Sequence, residues 1–227
     1  MNTHVDVDKL VQQTQRYEFS DGLRDFQLGL MMAASGIMTW FIFDHANIWL
    51  SIMVELGKRF GTLGRTTTMI IVLIPSLLTL AALLVMRVLR RRWLWRNTGY
   101  VKSKQIVVPF HISLISVIVM LVPLGIGMLL QTAQLVDDLF LLRVIFIASG
   151  WSLGYTLIAM GQRLDLPRYI QVGLWTSLLT TIFLLLPLTV GQTALLWGLA
   201  WAATLTLSGI NPLRDAARRA DEVSHER

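Results

Sequence analysis

The chain contains no cysteine, few charges and almost no ionisable residue within its apolar runs. The missing cysteine excludes disulfides and every thiolate metal site, although it does not assign a compartment. Charged residues make up 15% of the 227 residues and hydrophobic ones 54%, with a mean hydropathy of +0.59. Soluble domains average about 25% charged and roughly 45–50% apolar, so both departures point toward lipid. No phosphate-binding glycine loop, no pair of carboxylates at catalytic spacing and no nucleic-acid motif is present. The middle of each long apolar run lacks Asp, Glu, Lys and Arg. Ion-coupled carriers usually place such groups at depth, so this pattern counts against one.

What is present is a succession of apolar stretches, several approaching the ~20 residues that cross a ~30 Å hydrocarbon core. The expected spans are 26–43, 69–86, 107–130 and 139–160, followed by two more within 170–210. That last stretch has 41 residues, too many for one crossing, and Pro187, Gly191 and Gln192 divide it into a tight hairpin. The run Ile48–Leu56 is too short to cross and is expected at the interface. The fold class that follows is all-α, an integral membrane bundle of six transmembrane helices. Residues 1–25 read as a cytoplasmic N-terminal segment without a signal peptide, 26–210 as the membrane domain and 211–227 as a charged cytoplasmic tail. Ser20-Asp21-Gly22 is the expected turn and cap before the first span, and Asn211-Pro212 the expected restart of a helix in the tail.

Orientation rests on residues 87–104, which hold seven basic residues, no acidic one and two tryptophans. Lys and Arg beside spans are retained in the cytoplasm, while Trp settles at headgroup depth. With both termini inside, sixteen basic residues are cytoplasmic and four, Lys58, Arg59, Arg65 and Arg143, are external. Arg90, Arg91, Arg92, Arg96, Lys102 and Lys104 are expected to meet anionic headgroups, with Trp93 and Trp95 setting the depth. The net charge of +6 is therefore accounted for by lipid, and nucleic acid is disfavoured as a partner.

Gly150-Trp151-Ser152-Leu153-Gly154 matches the pattern of a hydrolase nucleophile elbow, which requires a strand-to-helix turn around the serine. Here the motif falls in the middle of an expected span, where Gly150 and Gly154 instead form a small-residue face for helix packing. Gly29, Ala33 and Gly36 do the same in the first span. His111 lies near the end of its span with no second histidine to complete a metal set. Asp44, His45 and Glu55 read as a helix boundary rather than a site. No cofactor is expected.

Two segments carry a resemblance. Tyr17-Glu18-Phe19-Ser20-Asp21-Gly22-Leu23 before the first span and Asn97-Thr98-Gly99-Tyr100-Val101-Lys102 after the second resemble an uncharacterised family of prokaryotic multi-pass membrane proteins. Asn97 stands where that family carries arginine. The resemblance implies a protein of a prokaryotic cytoplasmic membrane, and implies no catalytic mechanism. Both segments would face the cytoplasm, where Glu18 or Asp21 could pair with the arginines of 87–104. The expected function is that of a non-enzymatic interaction or regulatory membrane component with a membrane or cytoplasmic protein partner. The alternative is a substrate-binding or permease subunit of a transporter with a separate motor.

Overall fold

A computed structural model of the chain describes residues 22–62, 64, 81, 84, 85, 88 and 108–225, without the side chains of 138 and 219–225. Among the described residues there are six α-helices and no strand. They are α1 Leu23–Asp44, α2 Ala46–Phe60, α3 Phe110–Thr132, α4 Asp138–Arg163, α5 Pro167–Leu185 and α6 Val190–His225. Four of them, α1, α3, α4 and α6, are long and apolar enough to cross a membrane. At 1.5 Å per residue, the 22 residues of α1 reach about 33 Å. Most of the expected second span, and residues 90–104 of the basic segment, lie outside the described residues.

The helices alternate in direction. α1 starts at the end of the bundle that holds Asp25 and finishes at Asp44. α4 descends from the Asp44 end, α5 rises beside it, and α6 descends again along α1. α5 packs between α4 and α6. Tyr169, Val172, Gly173, Thr176 and Thr180 are all buried. Thr176, Thr180 and Thr181 donate back to carbonyls four residues earlier, at 2.7, 2.9 and 2.8 Å, so their hydroxyls are satisfied without water.

The core is assembled from α6 tryptophans and small residues. Trp197 and Trp201 pack with Val172 and Leu205, with Leu28, Met32 and Phe146 against them. Glycine contacts set the helix spacing. Gly36 of α1 faces Gly198 of α6, and Gly154 of α4 faces Gly173 and Ser177 of α5. Outside these seams the surface is apolar: Phe110, Leu129 and Leu185 are 80%, 72% and 79% exposed. Contiguous apolar surface on this scale is found where lipid or another protein covers it.

Three expected boundaries differ. The first helix begins at Leu23, so Asp25 belongs to its first turn rather than to a polar tail. The connection expected between the spans 139–160 and 170–210 shrinks to 164–166, because α4 runs on to Arg163 and α5 starts at Pro167. The helix expected to restart at Asn211-Pro212 never stops, since α6 is continuous from Val190 to His225 with Pro212 inside it. A proline there forfeits one backbone hydrogen bond, a loss that neighbouring backbone and side chains can absorb. The hairpin expected around Pro187 is present as residues 186–189.

Candidate functional site

The polar side chains of the bundle gather at its two ends and in one central layer. At the first end, Gly22 precedes α1 with a left-handed backbone (φ +73°), which glycine adopts without steric cost. Its Cα lies against the Gly209 carbonyl of α6, leaving no room for a side chain. That approach draws Asp25 into the interior, where it is 0% exposed. Tyr169, itself 1% exposed, donates a hydrogen bond to Asp25 Oδ1. Arg168 Nη1 stands 3.4 Å from Asp25 Oδ2, and the Arg168 guanidinium also lies 5.0 Å from the centroid of the Tyr169 ring. Tyr169 packs in turn against Ile112 of α3, Met160 of α4 and Leu164 just beyond it. One buried carboxylate therefore sits where α1, α5 and α6 meet, with α3 and α4 behind its tyrosine partner. A buried charge is tolerable only when it is paired and hydrogen-bonded, and Asp25 is both.

In the central layer, Ser116 of α3 lies 2.7 Å from the Ser152 hydroxyl and 2.9 Å from that of Thr156, and it donates to the Ser152 carbonyl at 3.1 Å. Trp151 donates to Thr181 of α5 at 2.8 Å. Ser152 is thus part of an α3–α4 seam inside an unbroken helix, with Ser116 and Thr156 rather than His111 as its partners. The strained turn that would activate a serine nucleophile is absent from α4. Gly150 lies against Thr180 and the indole of Trp197, where an added Cβ would come within 2.9 Å of the threonine methyl. Replacing Ser152 by alanine is expected to cost about 1 kcal/mol or less, as interhelical polar contacts in membranes usually contribute. Thermal unfolding in detergent measures this, and a fall several times larger would give Ser152 a role beyond the seam.

At the opposite end, Thr189 and Gln192 form a capping box at the start of α6. Gln192 N–H donates to Thr189 Oγ1 at 3.1 Å, and Thr189 N–H donates to Gln192 Oε1 at 3.2 Å. The Thr189 hydroxyl is directed at the carboxylate of Asp44, 2.9 and 2.8 Å from its two oxygens. Gly191 lets that carboxylate approach the N-terminus of α6, where negative charge is favoured. Arg143 of α4 serves the complementary helix end. Its Nη2 donates to the carbonyls of Phe183, Leu184 and Leu186 at 3.1, 3.0 and 2.6 Å, satisfying acceptors left over at the C-terminus of α5. Between these groups lies a cleft of about 630 Å³ that Asp44, Asp137, Arg143 and Thr189 share with apolar neighbours. Glu55 is not part of it: Glu55 accepts from Arg59 at 2.9 Å within α2, and His45 stacks on Phe41.

The expected headgroup residues Arg90, Arg91, Arg92, Trp93, Trp95, Arg96, Lys102 and Lys104 fall outside the described residues, as do Glu18 and Asp21. The residues that sequence reasoning passed over are Asp25, Tyr169 and Arg168, together with Arg143 and Thr189. For Thr189 a signal was available in Thr-x-x-Gln after a proline. For Asp25 the only hint was its position immediately before the apolar run that begins at Phe26. Among the described residues, no three His, Cys, Asp or Glu side chains come together as a metal site. Comparisons of the chain with protein-family models, with curated proteins and with solved structures return no match.

Proposed function

We propose that the chain is a multi-pass protein of a prokaryotic cytoplasmic membrane that crosses six times, with both termini inside, and works as a non-enzymatic interaction or regulatory component. The observation that carries this reading is the use made of its polar interior. Asp25, Tyr169, Arg143, Ser116, Ser152 and Thr156 are each engaged with a neighbouring helix. A scaffold built in this way presents surfaces rather than reactive atoms. Arg90, Arg91, Arg92, Trp93, Trp95, Arg96, Lys102 and Lys104 are the proposed contact with anionic headgroups at its cytoplasmic face. The proposed partner is a membrane or cytoplasmic protein.

Six crossings are supported by the directions of the described helices. α1 ends at the Asp44 face and α3 begins at the Asp25 face, which agrees with a proposed crossing between them. The charge bias agrees: Arg24, Arg163, Arg168, Arg214 and Arg218 belong to the Asp25 end, against Arg143 at the other. Reporter fusions after Gly57, Ser103, Gln134, Leu166 and Leu188 and at the C-terminus are expected to alternate, beginning outside. A cytoplasmic signal at Gly57 or Gln134 would break this topology.

The function itself is tested by purification from native membranes in mild detergent. A stoichiometric protein partner without ATPase activity is the expected result. A co-purifying ATPase would instead support the second reading, a transporter subunit with a separate motor, which the cleft beside Asp44 favours. A chain that is alone after in-membrane crosslinking would overturn the interaction role.

A further inference from the structure

The cleft at the Asp44 end has a volume, a charge and a depth that together describe a ligand. Its 630 Å³ is within the ~300–1,000 Å³ of small-molecule sites. It opens where α1 ends, α4 begins and the α5–α6 hairpin turns, which in a membrane-spanning bundle is the headgroup layer. One wall is apolar, formed by Phe43, Leu135, Leu139, Phe140 and Leu188. Phe43 and Leu139 are 45% and 61% exposed and continue toward the apolar flank of the bundle.

Two carboxylates and one guanidinium line the polar side. One nitrogen of the guanidinium, Arg143 Nη2, already serves the carbonyls of Phe183, Leu184 and Leu186, and its single charge offsets only one of the two carboxylates. Asp44 receives a single hydroxyl hydrogen, from Thr189, shared between both its oxygens. Asp137, the residue before α4, makes no side-chain capping hydrogen bond. The cleft therefore has acceptors to spare and a negative balance. A simple anion is disfavoured by the carboxylates. A divalent metal lacks a third ligand of the usual kind among the described residues. A small cation attached to an apolar chain suits both walls.

We propose that this cleft binds the ammonium group of an amphiphile, with the cation between Asp44 and Asp137 and the apolar chain along Phe43, Leu139 and Phe140. The chemistry has two sources, an aminophospholipid headgroup or a soluble alkylamine. The inference rests on the membrane placement proposed above. Failure of that placement would show separately, as a chain that stays monodisperse without detergent or lipid.

The test uses the full chain in nanodiscs. Thermal stability is compared in phosphatidylglycerol alone and in phosphatidylglycerol with phosphatidylethanolamine, and hexylamine is titrated into the first. The expected result is a rise of roughly 3–5 °C with phosphatidylethanolamine. That rise should be lost in Asp44→Asn and Asp137→Asn and kept in Glu55→Gln, which removes a carboxylate outside the cleft. Because Asp44 also supports the start of α6, Asp137→Asn carries the test if the first variant fails to fold. A rise with hexylamine but not with the lipid, abolished by Asp137→Asn, assigns the same site to a soluble amine. No rise with either probe, or a rise that Asp137→Asn leaves intact, overturns the proposal.

Discussion

Asp25→Ala is expected to lower the stability of the bundle more than any other single change to its polar residues. Removing one member of a buried, hydrogen-bonded charge pair typically costs about 3–5 kcal/mol, because the partners keep their burial and lose their counter-charge. Here the partners are the Tyr169 hydroxyl, in a residue 1% exposed, and Arg168, whose side chain is 17% exposed. In a chain of this size each kcal/mol moves the midpoint by about 2–4 °C, so a fall on the order of 10 °C should be seen. Tyr169→Phe removes only a hydrogen bond to a charged group and should cost about 1.5–3 kcal/mol. The double variant should fall short of the sum, since both substitutions break the same contact. Thermal unfolding in detergent, followed by the fluorescence of the eight tryptophans, measures all three. A fall of less than about 1 kcal/mol for Asp25→Ala would leave this junction without a structural role.

Gly198→Leu is the second large effect. A Cβ at Gly198 would lie 2.5 Å from the Met32 carbonyl oxygen and 2.8 Å from the Cα of Gly36. A Cβ at Gly36 would likewise meet the Ala194 oxygen at 2.7 Å and the Cα of Gly198 at 2.9 Å. These obstacles are backbone, which has no rotamer to yield, so α1 and α6 have to separate along their shared seam. Overpacking of a core costs about 1–3 kcal/mol and sometimes more, and a leucine here adds four carbons at once. Gly154→Leu should act similarly between α4 and α5, where the obstacles are Ser177 and the Gly173 carbonyl at 2.9 Å. Gly125 provides the contrast, with nothing within 4 Å of an added Cβ. Gly125→Ala should be neutral or stabilising, by up to about 1 kcal/mol of helix propensity. Equal effects at Gly125 and Gly198 would mean that the seam tolerates side chains and is not what sets the helix spacing.

The small-residue seams were partly legible beforehand. Gly29 and Gly36 mark one face of α1, and Gly150 and Gly154 one face of α4, because three- and four-residue spacings stay on one side of a helix. Which helix each face would meet was not legible. Nothing in the spacing of Gly36 distinguishes α6 from α4 as its neighbour. The choice follows from Gly198 and Ala194 presenting equally bare backbone at the same depth.

What the sequence by itself determined is the all-α class and the breaks at Asp44 and Pro187. Transfer of apolar side chains from water is a sum over local residues, so long runs declare helices suited to lipid wherever they pack. The break at Pro187 and the helix limit at Asp44 are local in the same sense. Only the tertiary structure decided the fate of the charges. Asp25 looks like the last residue of a polar segment until Tyr169, 144 positions away, is brought to it. Arg143 counts as an external charge until the carbonyls of Phe183, Leu184 and Leu186, 40 to 43 positions on, accept its protons. Thr189 caps its own helix by a local rule, yet only the fold aims its hydroxyl at Asp44. A charge is costly or stabilising according to what faces it at about 3 Å, and that depends on the docking of helices rather than on the order of residues along one.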